Sequence, residues 1–177
     1  TIHACLQRPY IWRTIMAKHI FKIPENKITV IAGDVGGSFG MKGGLYPEDV
    51  LVLWASRRCG RPVKWISTRS DALIGDNHAR DQIVHGEMAL DGDGRILAIR
   101  ARALHAVGAY TFSSGVSPLD MSLRFIPNLY DVQTIDVSTR AVFTNTSTLA
   151  AYRGAGRPEA VYLTERLLDR AAREMGI

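Results

Sequence analysis

The stretch that decides the first half of the fold is Asp34-Val35-Gly36-Gly37-Ser38-Phe39-Gly40-Met41-Lys42-Gly43-Gly44. It follows the β-branched residues 28–31, which predict a short buried strand, and precedes Pro47, where a helix can begin. Glycines allow positive φ and let backbone N–H groups approach an anion at such a strand-to-helix turn. The spacing matches neither the dinucleotide fingerprint GxGxxG nor a Walker A loop. It therefore leaves two interpretations open, a ligand-binding loop and a plain tight turn.

Periodicity on either side of that stretch predicts an α+β fold with mixed helices and mostly antiparallel sheets. Helices are expected at residues 10–21, 47–59 and 158–174, and strands at 62–67, 83–90, 96–107 and 130–143. The two strands flanking residues 91–94 form a long hairpin, and residues 108–128 are irregular. We divide the chain at residue 68. Residues 1–68 contain the GGSFG segment, residues 36–40, which we call the glycine loop. Residues 69–177 are rich in hairpin structure and end in a helix.

Two further segments could carry chemistry. The first is Ala150-Ala151-Tyr152-Arg153-Gly154-Ala155-Gly156-Arg157-Pro158-Glu159, in which two arginines flank small residues ahead of a helix. Arginine offers a planar fork of donors to phosphate or oxo groups, but two exposed arginines before a helix are an equally good interpretation. The second is Asn77-His78-Ala79-Arg80-Asp81. It lacks a recognisable nucleophile, so a structural histidine is the better interpretation.

Composition excludes several classes of protein. The net charge is +5 over 177 residues, and the basic residues are scattered without interleaved aromatics, so we expect no nucleic-acid binding. No apolar run approaches the roughly 18 residues of a membrane span. The two cysteines, Cys5 and Cys59, lack CxxC spacing, which excludes an iron–sulfur ligand set within this chain. Lone thiols are typical of a reducing compartment, so we expect a cytoplasmic protein.

Together these segments resemble the molybdenum-binding large subunit of the xanthine dehydrogenase, aldehyde oxidase and carbon monoxide dehydrogenase family. The GGSFG and AYRGAGRPE loops, about a hundred residues apart, are more specific together than either is alone. Other matching stretches run in family order along the chain: Gln7-Arg8-Pro9, residues 23–27, residues 60–65, residues 78–81, residues 131–132 and residues 143–146. The resemblance implies that the chain is a fragment of a molybdopterin-binding subunit.

The resemblance also assigns residues to a cofactor site. It implies that backbone donors of the glycine loop lie beside an oxo ligand of molybdenum and that a glutamine before the first helix faces the same oxo group. It also implies that the arginine loop, residues 152–157, approaches that group from the other side. The implied cofactor-binding residues are Gln7, Gly36, Gly37, Phe39, Gly40, Arg153, Gly154 and Ala155. No side chain here is expected to ligate the metal directly. We expect the two loops to line one common cleft.

The activity implied by the resemblance is hydroxylation of a carbon with oxygen from water, on an aldehyde or a substrate like an N-heterocycle. The implied cofactor is molybdenum–molybdopterin, whose nucleotide form the sequence leaves open. Electrons would pass to an iron–sulfur small subunit and a FAD-binding medium subunit. The family's general-base glutamate lies downstream of the matched region, so we assign no catalytic residue to this fragment and expect it to be inactive alone.

Departures from the family pattern narrow the substrate. Purine-oxidising members have a glutamate where this chain has Gly43, an arginine where it has Asn77 and a phenylalanine where it has Ala155. Gly43 and Asn77 are therefore candidate residues of the substrate pocket, and purines are disfavoured. Carbon monoxide oxidisers carry a copper-binding cysteine where this chain has Gly154. The chain is thus most similar to divergent members that resemble carbon monoxide dehydrogenase.

Two alternatives belong to other functional classes. A non-catalytic interaction module could retain the fold, and a downstream glycine-rich segment ending in glutamate would decide against it. An independent anion-binding or nucleic-acid-binding protein is supported only by the arginines and the pI near 9.5. Binding to DNA with a steep dependence on salt concentration would favour that alternative.

We predict that Arg153→Ala in the intact enzyme lowers turnover strongly while the protein still folds. Arg153 lies among small loop residues, so its removal leaves no cavity in the core. The measurement is turnover at saturating substrate, together with a folding assay. Unchanged turnover would contradict a role at the metal.

Overall fold

The computed structural model describes all 177 residues and separates them into two units, residues 1–76 and residues 77–177. The helix Arg69–Gly75, which the sequence analysis did not predict, belongs to the first unit. Thr68 begins this helix, because its hydroxyl oxygen accepts a hydrogen bond from the Asp71 backbone N–H at 3.1 Å. The secondary-structure elements of each unit follow in chain order.

The first unit contains a two-stranded sheet and three helices. Strand β1 (Ile2–His3) pairs in parallel with β2 (Val30–Ile31). Helix α1 (Pro9–Ile15) continues as a π-helical turn (Met16–Phe21), which Lys22 ends in a left-handed conformation at φ 50°. The glycine loop lies between β2 and a 3₁₀ turn (Met41–Gly43), and helices α2 (Pro47–Cys59) and α3 (Arg69–Gly75) follow.

The core of the first unit forms under helix α1 and its π-helical continuation because apolar residues recur on one face of this segment. Trp12, Met16 and Ala17 are buried there, and they pack with Ile2, Leu6 and Ile28. Helix α2 begins at Pro47 and is capped at its C-terminal end by Gly60, which adopts φ 62°, as the proline and glycine positions predicted.

Residues 62–67 pair with no other strand of this chain, so the predicted strand is not formed here. A strand needs a partner for its backbone groups, and none of the other elements supplies one. Val63, Trp65 and Ile66 are exposed. The segment borders a groove of about 1110 Å³ that is also lined by Trp12 and Asp49 and includes only Met41 and Lys42 of the glycine stretch.

The second unit is built on a three-stranded sheet of order β3–β4–β5. Strands β3 (Gln82–Leu90) and β4 (Ile96–Gly108) form the predicted antiparallel hairpin. Its turn is closed by Asp91, whose carboxylate accepts hydrogen bonds from the backbone N–H groups of Asp93 and Arg95.

Strand β5 (Thr134–Phe143) runs parallel to β4. The α+β class is therefore confirmed, but the pairing is mixed rather than mostly antiparallel. Parallel pairing requires a long crossover, and the stretch after β4 provides it. That stretch, predicted to be irregular, contains helix α4 (Ser117–Phe125).

Helix α5 (Arg157–Met175) packs against the sheet. The close approach depends on Gly86, because a Cβ there would lie 2.6 Å from Leu163 Cδ1. Ile99, Ala101, Ile126 and Ala160 form the buried core. None of the helices has the length and apolar character needed to cross a membrane.

We predict that Thr164→Val destabilises the second unit by roughly 1–3 kcal/mol. Thr164 is fully buried, and its hydroxyl donates a hydrogen bond to the Ile126 carbonyl, so valine would leave that carbonyl unsatisfied. The measurement is denaturant unfolding of the full-length protein. Thr164→Ser keeps the hydroxyl and is the matched control. A loss in Thr164→Val no larger than the loss in Thr164→Ser would show that the hydrogen bond contributes no more than the packing of the methyl group.

Candidate functional site

The glycine loop is shaped by three residues with positive φ. Gly37 adopts φ 116°, Phe39 φ 55° and Gly40 φ 110°. The left-handed conformation is unusual for a residue with a β-carbon, and residues held in such strained conformations cluster at binding and active sites. The Phe39 ring folds back over Gly37, where an added Cβ would lie 2.7 Å from the Phe39 ring edge. Glycine is therefore required at position 37 both for its φ and for the space under the ring.

Gln7 lies directly beside this loop. Its backbone N–H donates to the Lys42 carbonyl at 3.1 Å, and its side-chain oxygen accepts a hydrogen bond from the Ser38 hydroxyl at 2.7 Å. With that oxygen engaged, the amide NH₂ group is the end of the side chain that remains to donate to a ligand. Thus the structure brings Gln7 to the glycine loop, although thirty-one positions separate it from Ser38.

Arg8 is a residue of this site that the sequence reasoning missed. Its guanidinium donates a hydrogen bond of 2.8 Å to the Gly43 carbonyl. A Cβ at Gly43 would lie 3.4 Å from Arg8 Nη2 and 3.6 Å from Gln7 Oε1. Arg8 therefore holds the far end of the glycine stretch against the segment that carries Gln7. The only indication of this role in the sequence was that Arg8 lies in Gln7-Arg8-Pro9, one of the stretches that match the family.

The arginine loop of the second unit has a similar backbone. Gly154, Ala155 and Gly156 all have positive φ, at 92°, 47° and 98°. The Ala155 N–H donates to the Tyr152 carbonyl at 2.6 Å, and the Arg157 N–H donates to the Gly154 carbonyl at 3.1 Å. A Cβ at Gly156 would overlap the Pro118 carbonyl of helix α4. Only glycine fits there, for steric and conformational reasons together.

The segment Asn77–Asp81 lies beside the chain that leads into the arginine loop. The His78 N–H donates to the Thr148 carbonyl, and the Ala150 N–H donates to the His78 carbonyl, both at 2.9 Å. Asn77 is buried at the start of this pairing. The structure thus brings the segment of residues 77–81 next to the segment that contains the arginine loop.

The same unit contains two polar side chains that are largely buried, those of Glu159 and His105. The Glu159 side chain is 8% exposed, and its Oε1 lies 3.8 Å from Arg80 Nε, while Oε2 has no hydrogen-bond partner. His105 is buried in strand β4, as expected of a packed residue. Burial lowers the pKa of His105, against smaller opposing effects of the Gly115 backbone, Glu159 and Asp81.

The predicted site residues therefore form two groups, one in each unit. Those of the first unit are Gln7, Gly36, Gly37, Phe39, Gly40 and Gly43, and those of the second are Asn77, Arg153, Gly154 and Ala155. Gly36 has open space around its α-carbon and no positive φ, so its conformation makes no demand for glycine. A common cleft remains a prediction.

The donor set of these residues suits an anionic, oxygen-rich group. The chain has no cluster of three or more His, Cys, Asp or Glu side chains that could hold a metal ion. What the two loops offer instead is an amide, guanidinium groups and backbone N–H groups on turns of positive φ, which is the chemistry that binds oxo and phosphate oxygens. An organic cofactor with oxo and phosphate oxygens fits this set of donors.

Comparison with known proteins decides the family. The family model described as the molybdopterin cofactor-binding domain matches residues 1–177. The chain belongs to this family. The resemblance on which the sequence interpretation depended is confirmed.

Two curated relatives and one solved structure show how far the similarity extends. The gamma subunit of the 6-hydroxypseudooxynicotine dehydrogenase complex of Paenarthrobacter nicotinovorans is 37% identical over 93% of this chain. The carbon monoxide dehydrogenase large chain of Hydrogenophaga pseudoflava is 34% identical over 100% of it. The structure of quinoline 2-oxidoreductase from Pseudomonas putida 86 matches with a TM-score of 0.93 and 38% identity over 99% of this chain and 22% of its own. This molybdopterin-binding domain spans about a fifth of the curated relatives, 21% and 22% of their lengths.

We predict that Asp49 makes the stability of the domain depend on pH. Its carboxylate accepts a hydrogen bond from the Tyr46 N–H at 3.0 Å, where helix α2 follows the glycine stretch. Burial raises the pKa of Asp49 from 3.8 to about 6, with Glu48 adding to the rise. The folded state therefore binds the proton more tightly than the unfolded state. This contribution is most favourable below pH 3.8 and is lost as the pH rises to about 6.

The measurement is the free energy of unfolding of the full-length protein between those two pH values. Asp49→Asn is the matched variant, because its amide oxygen can still accept from Tyr46 but it does not titrate. The stability of the wild type relative to Asp49→Asn should fall across this range. A difference that stays constant or rises would contradict the burial of an ionisable carboxyl here.

Proposed function

We propose that this domain is part of a molybdenum hydroxylase, in which it binds the molybdenum–molybdopterin cofactor through the glycine loop, the arginine loop and Gln7. The observation that carries the proposal is the matching geometry of the two loops. Each holds a residue other than glycine, Phe39 or Ala155, in a left-handed conformation. Residues held in such strained conformations cluster at ligand-binding and active sites, which supports a ligand at each loop.

The chemistry supplied by the bound cofactor would be oxidation at a carbon with oxygen taken from water. The protein residues contribute binding and orientation. Donors held in place before reaction stabilise charge as it develops on oxygen, because they need not reorganise. Gln7 would donate through its amide, whose orientation is held by Ser38. The arginine loop would donate from the second unit, which requires the two loops to face one cleft in the full-length protein.

We further propose that the substrate is an aldehyde or a compound with a nitrogen heterocycle. Small or neutral side chains at Gly43, Asn77 and Ala155 leave neither a charge nor an aromatic clamp for a purine. Two of the similar proteins are named for quinoline and for 6-hydroxypseudooxynicotine, both of which contain a nitrogen heterocycle. This supports the heterocycle over the aldehyde.

The electrons from such a reaction need acceptors that this chain does not contain. Cys5 and Cys59 are both exposed single thiols, without the spacing of a cluster ligand set. We propose that an iron–sulfur small subunit and a FAD-binding medium subunit receive them. The relative named as a subunit of a dehydrogenase complex supports a protein of several subunits. A cytoplasmic location stays a prediction.

We predict that the full-length protein, purified with its partner subunits, contains molybdenum, a pterin, iron–sulfur clusters and FAD. It should oxidise a quinoline-type or pyridine-type substrate with an artificial electron acceptor, and xanthine much more slowly. The measurements are elemental analysis, pterin fluorescence after oxidation of the cofactor, and initial rates. A complex without molybdenum would overturn the proposal, and preferred oxidation of xanthine would overturn the substrate class.

A further inference from the structure

We propose that Arg80 is a positioning residue that holds the arginine loop, residues 152–157, in the conformation in which it meets the cofactor. The role at the cofactor rests on the proposed function, but the hold on the loop can be tested without it. The contacts involved all lie within the second unit.

The loop needs such support because of its own backbone. Gly154, Ala155 and Gly156 are three successive residues with positive φ. A chain of this kind has many other conformations available once its outside contacts are lost. Its internal hydrogen bonds, from Ala155 to Tyr152 and from Arg157 to Gly154, each close only a short turn. They do not fix the loop relative to the rest of the unit.

Arg80 contacts the region of the loop at three points. Its guanidinium carbon lies 5.1 Å from the centre of the Tyr152 ring, within the range of a cation–π interaction. Its Nη2 donates a hydrogen bond to the Arg153 carbonyl. Its Nε lies 3.8 Å from Glu159 Oε1, in the first turn of helix α5. One side chain thereby connects the start of the loop, its middle and the helix that follows.

Arg80 is itself held in place from both sides. Two residues before it, His78 pairs with Thr148 and Ala150 through backbone hydrogen bonds. Directly after it, the Asp81 carbonyl accepts a hydrogen bond of 3.0 Å from the Ala106 N–H in strand β4. Arg80 takes φ 67° between these anchors. Its side chain therefore starts from a fixed point on the sheet.

The ion pair with Glu159 also stabilises the position of the Arg80 side chain. The Glu159 carboxylate is largely buried, and a buried charge is stable only with a partner. Arg80 is the cation that forms an ion pair with it. A lysine could carry the charge, but it lacks the planar fork that reaches a carbonyl and a carboxylate while it stacks on a ring. The arrangement thus requires the guanidinium and not merely a positive charge.

The experiment uses the full-length protein in its complex and the variants Arg80→Gln, Arg80→Lys and Arg80→Gly. The main measurement is hydrogen exchange of the loop amides of Ala155 and Arg157. In Arg80→Gln their exchange should be about tenfold faster, since a hydrogen bond from a charged donor and an ion pair are lost. Strand β4 should be unaffected. The Arg80→Lys variant, which keeps a positive charge near Glu159, should also show faster exchange of these amides. It replaces Arg80→Gln in the measurement if Arg80→Gln does not assemble.

The Arg80→Gly variant separates the side chain from the backbone. Glycine adopts φ 67° without strain, so it removes the guanidinium while easing the backbone. Loop exchange as fast as in Arg80→Gln supports the proposal, and exchange at the wild-type rate overturns it. Arg170→Gln is the matched control, because Arg170 pairs with Glu174 at the exposed end of the same helix, and it should leave loop exchange unchanged.

Molybdenum retained per subunit after extended dialysis is the second measurement. The Arg80 variants should lose the metal faster than the wild type and Arg170→Gln. Equal retention in all of them would overturn the link between loop and cofactor. A wild-type complex without molybdenum would instead overturn the proposed function, and the exchange comparison would still decide whether Arg80 holds the loop. Unchanged loop exchange in Arg80→Gln and Arg80→Lys would overturn that hold.

Discussion

Both loops of the candidate site are held through a backbone carbonyl by an arginine from another segment. Arg8 donates to the Gly43 carbonyl in the first unit, and Arg80 donates to the Arg153 carbonyl in the second. A left-handed conformation at a residue other than glycine costs on the order of 1–3 kcal/mol, and a hydrogen bond from a charged donor contributes about 1.5–3 kcal/mol. The two effects are of similar size, so one such contact can offset the strain in each loop.

Small residues surround the strained positions of both loops. Phe39 and Ala155 each have a glycine of positive φ immediately after them, and these glycines carry part of the turn at no steric cost. A larger residue would meet the Pro118 carbonyl at Gly156 and the Phe39 ring at Gly37. The backbone N–H groups of these turns are thus presented without a β-carbon in the way. That is the property a site for an oxygen-rich cofactor requires.

The sheet of the second unit sets where the arginine loop begins and ends. The hairpin β3–β4 is local, but β5 joins it in parallel after a crossover through helix α4, and helix α5 then packs on β3. The loop lies between β5 and α5, so both of its ends are attached to the same sheet.

In the proposed full-length subunit, the exposed side chains of Val63, Trp65 and Ile66 would gain neighbours that this chain does not supply.

The sequence by itself determined the local features of this protein, the ends of helices and the position of the hairpin turn. Pro47 and Gly60 mark the ends of helix α2, and Asp91 closes the hairpin turn, because caps and turns depend on residues close in the chain. The two loop motifs, far apart in the sequence, together indicated the family.

Only the tertiary structure decided the contacts between distant segments. These are the hydrogen bond between Ser38 and Gln7, the three contacts of Arg80, the parallel pairing of β5 and the missing partner of residues 62–67. Such contacts depend on how the elements pack, and neither periodicity nor propensity carries that information.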